Sequence, residues 1–241
     1  MTRTEGRREV PDDLAAFGSF FAVCSHPPGA EPRPPWRPFR ELTGPGGQLP
    51  ACIDAVRAAL AERGGRSAGE IKPRVAASIT HLGLVARLIA PPLAAAATGC
   101  WLGMPLADLW WQDVLGGPVP LSVPLPPPRA TAGEPPAGGQ DLLNEVISPL
   151  TAQTSRLVSI SPRVLWGNVA SAVNGSAAQV ASQRPDLSGP AWAVAASLFA
   201  SPQLSRERHP PGPAFRRSSC CLIYKIAADR SQGICSDCVL R

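Results

Sequence analysis

The sequence has little of what a nucleic-acid-binding surface requires. Only two of its 23 basic residues are lysines, and the arginines that make up the rest are dispersed in runs no longer than a pair. One tyrosine and six phenylalanines leave few rings on which bases could stack. The net charge of +5 comes without a phosphate-binding stripe, so we expect no nucleic-acid partner.

Other functional signatures are also missing. No glycine-rich phosphate loop or dinucleotide fingerprint occurs, so no built-in NAD(P)H or flavin site is expected, and electrons would have to come from outside. The three histidines, His26, His81 and His209, share no ligand spacing, which argues against a histidine metal site. No acid, base or nucleophile is predicted as a catalytic residue.

The first residues carry charges without the apolar run of a secretory signal peptide. We therefore expect a cytoplasmic protein, with a peripheral position at the inner face of the membrane as the alternative. The stretch from Leu88 to Ala107 is uncharged and close to the roughly 20 residues that cross a bilayer. Pro91, Pro92 and Pro105 interrupt it, which predicts a buried helix or helix pair and no stable membrane insertion.

The composition predicts a folded, mainly α-helical protein, with α+β as the alternative class. Hydrophobic residues make up 44% of the chain and charged residues 17%, which excludes a wholly disordered protein. Clusters of proline and glycine divide it into a proline-rich N-terminal segment without regular helix (1–50), a helical body (51–210) and a short C-terminal metal-binding segment (211–241).

Apolar spacing predicts five helices in the body. The first is expected from residue 51 to Gly64-Gly65, and the second from Pro73 to a stop at Pro91-Pro92. The third is expected from Asp141 to Val158, with a kink or break at Pro149, and the fourth begins after Ser161 as N-cap. The fifth is expected from about Pro190 to Ala200, after a cap at Asp186 or Ser188. A long loop is expected over residues 116–140, and Leu222–Ala227 is predicted as a short strand. Arg74 and Arg87 are expected to be solvated or salt-bridged.

The cysteines are concentrated at one end of the chain. Cys220, Cys221, Cys235 and Cys238 are four of the seven, and the spacing of the last two lets both thiolates reach one metal. Zinc sites favour paired ligands two to four residues apart, so the adjacent pair favours an iron–sulfur cluster. Zinc, unligated thiols and a redox disulfide stay open. The scattered Cys24, Cys52 and Cys100 are expected to be ordinary buried thiols.

The cysteine-rich tail reads R-R-S-S-C-C-L-I-Y-K (216–225) followed by C-S-D-C-V-L (235–240). It is similar to the cluster-binding C-terminus of the FhuF-type ferric-siderophore reductases, particularly their actinobacterial members. The element S-P-R-V-L-W-G-N-V-A-S-A (161–172) resembles the family's Leu-Trp-Gly-Asn element, and the helix from Pro73 to Leu88 with Leu109-Trp110-Trp111 resembles its upstream half. The resemblance covers roughly residues 50–241.

This resemblance implies a [2Fe–2S] cluster that passes single electrons to siderophore-bound iron(III). It assigns Cys220, Cys221, Cys235 and Cys238 as the cluster ligands, although the 13 residues between the two pairs make a long gap for the motif. The implied partners are a ferric siderophore as substrate and an external electron donor, a ferredoxin or a reductase. Iron(III) held by hard oxygen donors is released from the chelate when it is reduced to iron(II).

Four further residues are candidates for the surroundings of the cluster or of the substrate. Arg216 and Arg217 precede the cysteine pair, where they would raise the cluster potential or attract an acidic partner, or would simply be solvated. Trp166 and Asn168 flank Gly167, which allows close approach, and a mid-helix asparagine needs a partner for its amide. Two other functions stay open: a non-catalytic scaffold stapled by iron–sulfur or zinc, and a siderophore-binding protein.

Overall fold

Seven helices and a four-stranded sheet form the part of the chain that the computed structural model describes, residues 14–44, 46–125, 138–227 and 233–241. The helices are α1 (Arg40–Thr43), α2 (Leu49–Arg63), α3 (Pro73–Ala97), α4 (Gly138–Asp141), α5 (Ser148–Val158), α6 (Pro162–Gln183) and α7 (Ser188–Phe199). The strands are β1 (Cys24–His26), β2 (Arg37–Pro38), β3 (Trp110–Trp111) and β4 (Leu121–Pro124). Helix accounts for 55% of the structure, which confirms the predicted fold class.

Helix α3 forms the centre of the core. Of its 25 residues 18 are buried, and it packs against α2, α5, α6 and α7. By length and composition alone this helix is apolar enough to cross a membrane, but most of its apolar window is covered by the rest of the protein. The many alanines in its second half let neighbouring helices approach closely.

The predicted stop at Pro91-Pro92 is wrong, because α3 continues to Ala97. Two consecutive prolines remove two helical N–H donors, at a cost of about 3 kcal/mol for one interior proline. Both prolines and the neighbouring Ile89 and Leu93 are buried. Burial of a Leu or Ile side chain contributes about 2 kcal/mol, so packing of this turn offsets the lost hydrogen bonds.

Where the structure describes it, the proline-rich segment before α2 is mostly exposed or half-buried, and a few apolar side chains anchor it in the core. The prediction that it contains no regular helix is wrong at the four residues of α1. Phe17, Phe21, Phe39 and Leu42 are all buried in the same cluster as the helices. The segment also contributes α1 and two strands to a sheet of order β1-β4-β3-β2, in which β1 and β4 are parallel and the other pairs antiparallel. Proline excluded long regular elements but left room for two- and three-residue strands.

Around α5 and α6 most of the predicted boundaries are confirmed. The interruption expected at Pro149 lies before that residue, as a π-helical segment, Leu142–Ile147, that joins α4 to α5, while Pro149 itself stands in the first turn of α5. Ser161 caps α6 by accepting a hydrogen bond from the amide of residue 163. Neither Asp186 nor Ser188 caps α7, since no side-chain cap bond is formed there.

The predicted strand over Leu222–Ala227 is wrong. Residues Ile223–Lys225 form a single 3₁₀ turn. Leu222 itself has a φ of 69°, a left-handed conformation that turns the chain directly after Cys221. Of the predicted loop over 116–140, residues 126–137 lie outside the described part of the chain.

Arg87 is buried rather than solvated, and it joins three segments that are distant in sequence. Its guanidinium, only 2% exposed, donates hydrogen bonds to the carbonyls of Val119 (2.7 Å), Ala22 (2.7 Å) and Phe20. Burial lowers the pKa of Arg87 to about 10, so it stays charged at neutral pH. One side chain thus fixes the N-terminal segment and the loop before β4 against α3.

Replacing Arg87 with leucine should lower the free energy of unfolding by about 3 kcal/mol, because three partly buried carbonyls would lose their charged donor. Denaturant unfolding measures the change. Arg74→Leu is the control, since Arg74 is exposed on the same helix, and it should stay within about 0.5 kcal/mol of the parent. Equal effects of the two substitutions would contradict the role assigned to Arg87.

Candidate metal centre

The four C-terminal cysteines come together in two pairs. The sulfur of Cys221 lies 3.0 Å from that of Cys235, and Cys220 is close enough to Cys238 for the two thiols to interact electrostatically. Cys221 and Cys238 are buried, whereas Cys220 and Cys235 are partly exposed. Among the described residues no group of three or more cysteines, histidines and carboxylates is gathered as a site for one metal ion. The contacts of the sulfurs are those between Cys221 and Cys235 and between Cys220 and its neighbours Cys238 and Cys221.

Backbone geometry brings the adjacent cysteines to the same region. The left-handed Leu222 bends the chain, and its amide donates to the sulfur of Cys220 at 3.3 Å. The amide of Leu240 lies 3.5 Å from the sulfur of Cys238 in the same way. Amide donors to sulfur favour the thiolate, which is the form that binds metals.

The thiols of the tail differ in pKa. A hydrogen bond from Cys235, with the charge of Arg217 adding to it, lowers the pKa of Cys221 to about 6. The same hydrogen bond raises the pKa of Cys235, and burial raises the pKa of Cys220. Without a metal, Cys221 is therefore the thiolate of its pair at neutral pH.

Arg217 is buried beside these sulfurs, which excludes the solvated alternative for this residue. It is 1% exposed, and its Nη2 donates to Asn168 Oδ1 at 2.5 Å and to the carbonyl of Val164 at 3.4 Å. Its Nε and Nη1 have no hydrogen-bond partner among the described residues. Two donors of a buried cation are thus uncompensated by the protein groups that the structure describes.

Asn168 connects this arginine to the central helix. Its Nδ2 donates to the carbonyl and hydroxyl oxygens of Ser78, at 3.0 and 3.2 Å. The Ser78 hydroxyl in turn donates to the carbonyl of Cys221 at 2.7 Å. Polar groups of α3, α6 and the tail therefore form one buried network. Sequence reasoning missed Ser78, whose only signal is a hydroxyl on an otherwise apolar helix face.

A second set of contacts holds the loop that carries Cys235 and Cys238. Asp237 accepts a hydrogen bond from the Ser171 hydroxyl at 2.5 Å, and its carbonyl accepts one from the amide of Arg217 at 2.9 Å. Arg216 is half-buried and donates to the carbonyl of Ser236 at 3.1 Å. Arg216 therefore supports the loop, while Arg217 faces the sulfurs. Nothing in the sequence singled out Ser171.

Gly167 permits the tail to lie directly on α6. A Cβ at this position would lie 2.3 Å from the Ser219 hydroxyl and 3.3 Å from Nη2 of Arg217. Ser219 instead donates to the carbonyl of Arg163 at 2.9 Å. The close approach predicted from Gly167 is thus confirmed, and the approaching group is the segment before Cys220. Trp166 lies elsewhere, half-buried at the wall of a cavity on the outer side of the helix.

His81 and the three scattered cysteines lie outside this site and form no second metal centre among the described residues. His81 is fully buried, 3.0 Å from the Thr151 hydroxyl, and burial lowers its pKa to about 3, so it is a neutral core residue. Of the three scattered cysteines only Cys100 is buried, whereas Cys24 is exposed and Cys52 half-buried. The expectation of three ordinary buried thiols is therefore wrong for Cys24.

Two serines lie in arrangements that resemble hydrolase sites. Ser67 is the centre of G-R-S-A-G (65–69), but its hydroxyl and amide form a capping box with the carboxylate three residues on. Ser122 hydrogen-bonds His26 Nδ1 at 2.8 Å, and His26 Nε2 lies 3.1 Å from Asp108. Ser122 lies in β4 and is only 2% exposed, so its hydroxyl is not accessible as a nucleophile. The three residues instead connect β1, β4 and the turn that carries Asp108.

Comparison with known families identifies the tail. Residues 217–240 match the family model described as the FhuF 2Fe-2S C-terminal domain, a stretch that contains all four clustered cysteines. No curated protein and no solved structure matches the chain. The family match confirms the resemblance to FhuF-type proteins and the [2Fe–2S] cofactor that this resemblance implies.

Substituting Gly167 with alanine should separate the tail from α6, because the new methyl group would collide with Ser219. We expect the free energy of unfolding to fall by about 2 kcal/mol, the usual cost of overpacking. Alkylation of Cys220 and Cys221 in the metal-free protein, followed by mass spectrometry, should become faster.

Gly175→Ala is the matched control for this substitution. It lies on the same helix, and a Cβ there would meet nothing within 4 Å. It should leave alkylation unchanged and keep or slightly raise stability, since alanine is the better helix former. Unchanged alkylation in Gly167→Ala would mean that the tail does not depend on this contact.

Proposed function

We propose that this FhuF-type protein holds a [2Fe–2S] cluster with Cys220, Cys221, Cys235 and Cys238 and reduces siderophore-bound iron(III) to iron(II). The observation that carries the proposal is the pairing of all four cysteines within the segment that matches the FhuF 2Fe-2S domain. The cytoplasm is the expected compartment, because it keeps thiols reduced and receives imported chelates.

The donor set fits a two-iron cluster better than a single zinc ion. Each iron of a [2Fe–2S] cluster takes two protein ligands, and the sulfurs approach each other in two pairs. Cys220, Cys221, Cys235 and Cys238 would together hold the two irons. Structural zinc sites favour paired ligands two to four residues apart, and the directly adjacent Cys220 and Cys221 do not have that spacing.

The buried guanidinium fits the same occupant. Arg217 presents two unpartnered donors beside Cys221 and Cys235, which is where an anionic group would be neutralised. A four-thiolate cluster is net negative and gains negative charge on reduction. The positive charge of Arg217 would therefore stabilise the reduced state of the cluster and raise its reduction potential.

The remaining chemistry makes few demands on the chain. When bound, the cluster supplies one-electron transfer, and iron(III) reduced to iron(II) is held less tightly by hard oxygen donors. The protein has to keep the sulfurs in place, shield them and leave one side accessible. Cys220 and Cys235 are the partly exposed ligands, so electrons would enter and leave on their side. The electron donor is an external ferredoxin or reductase.

Anaerobically purified protein should contain two irons and two sulfides and, once reduced by dithionite, should give a rhombic EPR signal. Mixing with one equivalent of ferric chelate should re-oxidise the cluster and form iron(II), which a ferrous indicator detects. Cys238→Ser should lose the cluster, because one of four ligands is removed. Cys24→Ser is the control, since Cys24 lies outside the site, and should retain full cluster content.

Three outcomes would contradict parts of the proposal. Colourless protein with one zinc would overturn the reductase function. A reducible cluster that no ferric chelate re-oxidises would leave a metal-stapled scaffold or a siderophore-binding protein. Retained colour and EPR signal in Cys238→Ser would mean that the ligand assignment is wrong.

Arg217→Met should lower the midpoint potential of the cluster by on the order of 60 mV, which is a tenfold change in a one-electron equilibrium. Arg217→Lys keeps the charge and should recover most of the shift. Arg216→Met is the neighbouring control, because that side chain bonds backbone carbonyls and should move the potential far less. Spectroelectrochemical titration of variants with normal iron content measures all three, and equal shifts at both positions would refute the assignment.

A further inference from the structure

A cavity of about 510 Å³ opens beside the first turns of α6. Its walls include Arg163 and Trp166 on the helix, and Gln203, Arg206, Glu207 and Arg208 from the segment after α7. Pockets of roughly 300–1,000 Å³ are typical of small-molecule sites. The volume and concave shape of the cavity suit a small chelate better than they suit the surface of a protein partner.

The cavity carries an excess of positive charge. Arg163, Arg206 and Arg208 are exposed, and within the described residues none of their guanidinium groups has an ion pair or a side-chain hydrogen bond. The one acidic group in the wall, Glu207, already accepts a hydrogen bond from the amide of Ser218. Three uncommitted guanidinium groups around one cavity favour an anionic ligand.

The cavity is attached to the segment that leads into the cysteine pair. The carbonyl of Arg163 accepts a hydrogen bond from Ser219, the residue before Cys220, at 2.9 Å. The amide of Arg208 donates to the Ser218 hydroxyl at 3.1 Å. A ligand in the cavity would therefore lie next to the chain that carries Cys220, one of the two partly exposed sulfur ligands.

We propose that this cavity binds the ferric chelate and selects complexes with a net negative charge, such as those of catecholate or carboxylate siderophores. The proposal rests on the reductase function and adds to it the docking site and the class of substrate. Trp166 offers an indole beside the arginines, which suits the aromatic rings of a catecholate. One electron moves from the reduced cluster to iron(III), giving the oxidised cluster and iron(II), and the external donor replaces it.

Gallium(III) complexes test binding apart from reduction, since gallium(III) matches iron(III) in charge and size but is not reduced. A gallium tris-catecholate should bind the oxidised holoprotein at least tenfold more tightly than an uncharged gallium trihydroxamate, and added salt should weaken the binding. The double variant Arg206→Ser/Arg208→Ser should bind the tris-catecholate about tenfold more weakly. The control Arg74→Ser/Arg156→Ser makes the same charge change at exposed positions elsewhere and should bind within about twofold of the parent.

Two results would overturn the proposal. One is that the parent protein binds the trihydroxamate as tightly as the tris-catecholate, or more tightly. The other is parent-like tris-catecholate binding by the Arg206→Ser/Arg208→Ser variant; if an acidic electron-transfer protein also reduces this variant more slowly, the surface is the docking site of the donor. Cluster content and re-oxidation by chelate, measured on the same samples, report the reductase function separately, because gallium binding does not depend on electron transfer.

Discussion

The buried guanidinium of Arg217 is the constraint on which the C-terminal site depends. A charge removed from water costs several kcal/mol unless it is paired, and the described protein groups satisfy only part of this one. Asn168 and a backbone carbonyl fix its position, and the sulfurs beside it supply negative charge. Under the proposed function, binding of an anionic cluster at this site would therefore be coupled to folding of the tail.

The same network explains why the short tail needs the helical body. Residues 211–241 are too few to form a core of their own. Phe215 packs against Phe199 in the core of the body, and polar contacts with α3 and α6 hold the part that carries the cysteines. Ser78 holds the carbonyl of Cys221, and Gly167 lets the segment before the cysteines lie against the helix surface. The body therefore acts as a template that brings two distant cysteine pairs together across the gap of 13 residues.

Local rules predicted what depends on neighbouring residues and failed where distant segments meet. The start of α6 at Ser161 and the close approach at Gly167 followed from capping chemistry and the lack of a side chain. Pro91-Pro92 did not stop α3, because burial among other helices outweighed the local cost. The burial of Arg87 depends on carbonyls from segments 32 and 67 residues away, which no periodicity reveals.

The Leu-Trp-Gly-Asn element (165–168) lies where α6 separates the cysteine-bearing tail from the cavity lined by arginines. Residues 167 and 168 contact the tail and Arg217, whereas Arg163 and Trp166 line the cavity. An α-helix with its side chains is about 10–12 Å across, so both environments lie within one helix diameter of each other. Residues within two turns of α6 thus serve two purposes: one face supports the cysteines through polar contacts, and the other presents positive charge to solvent. A change in the tilt of α6 would alter both at once.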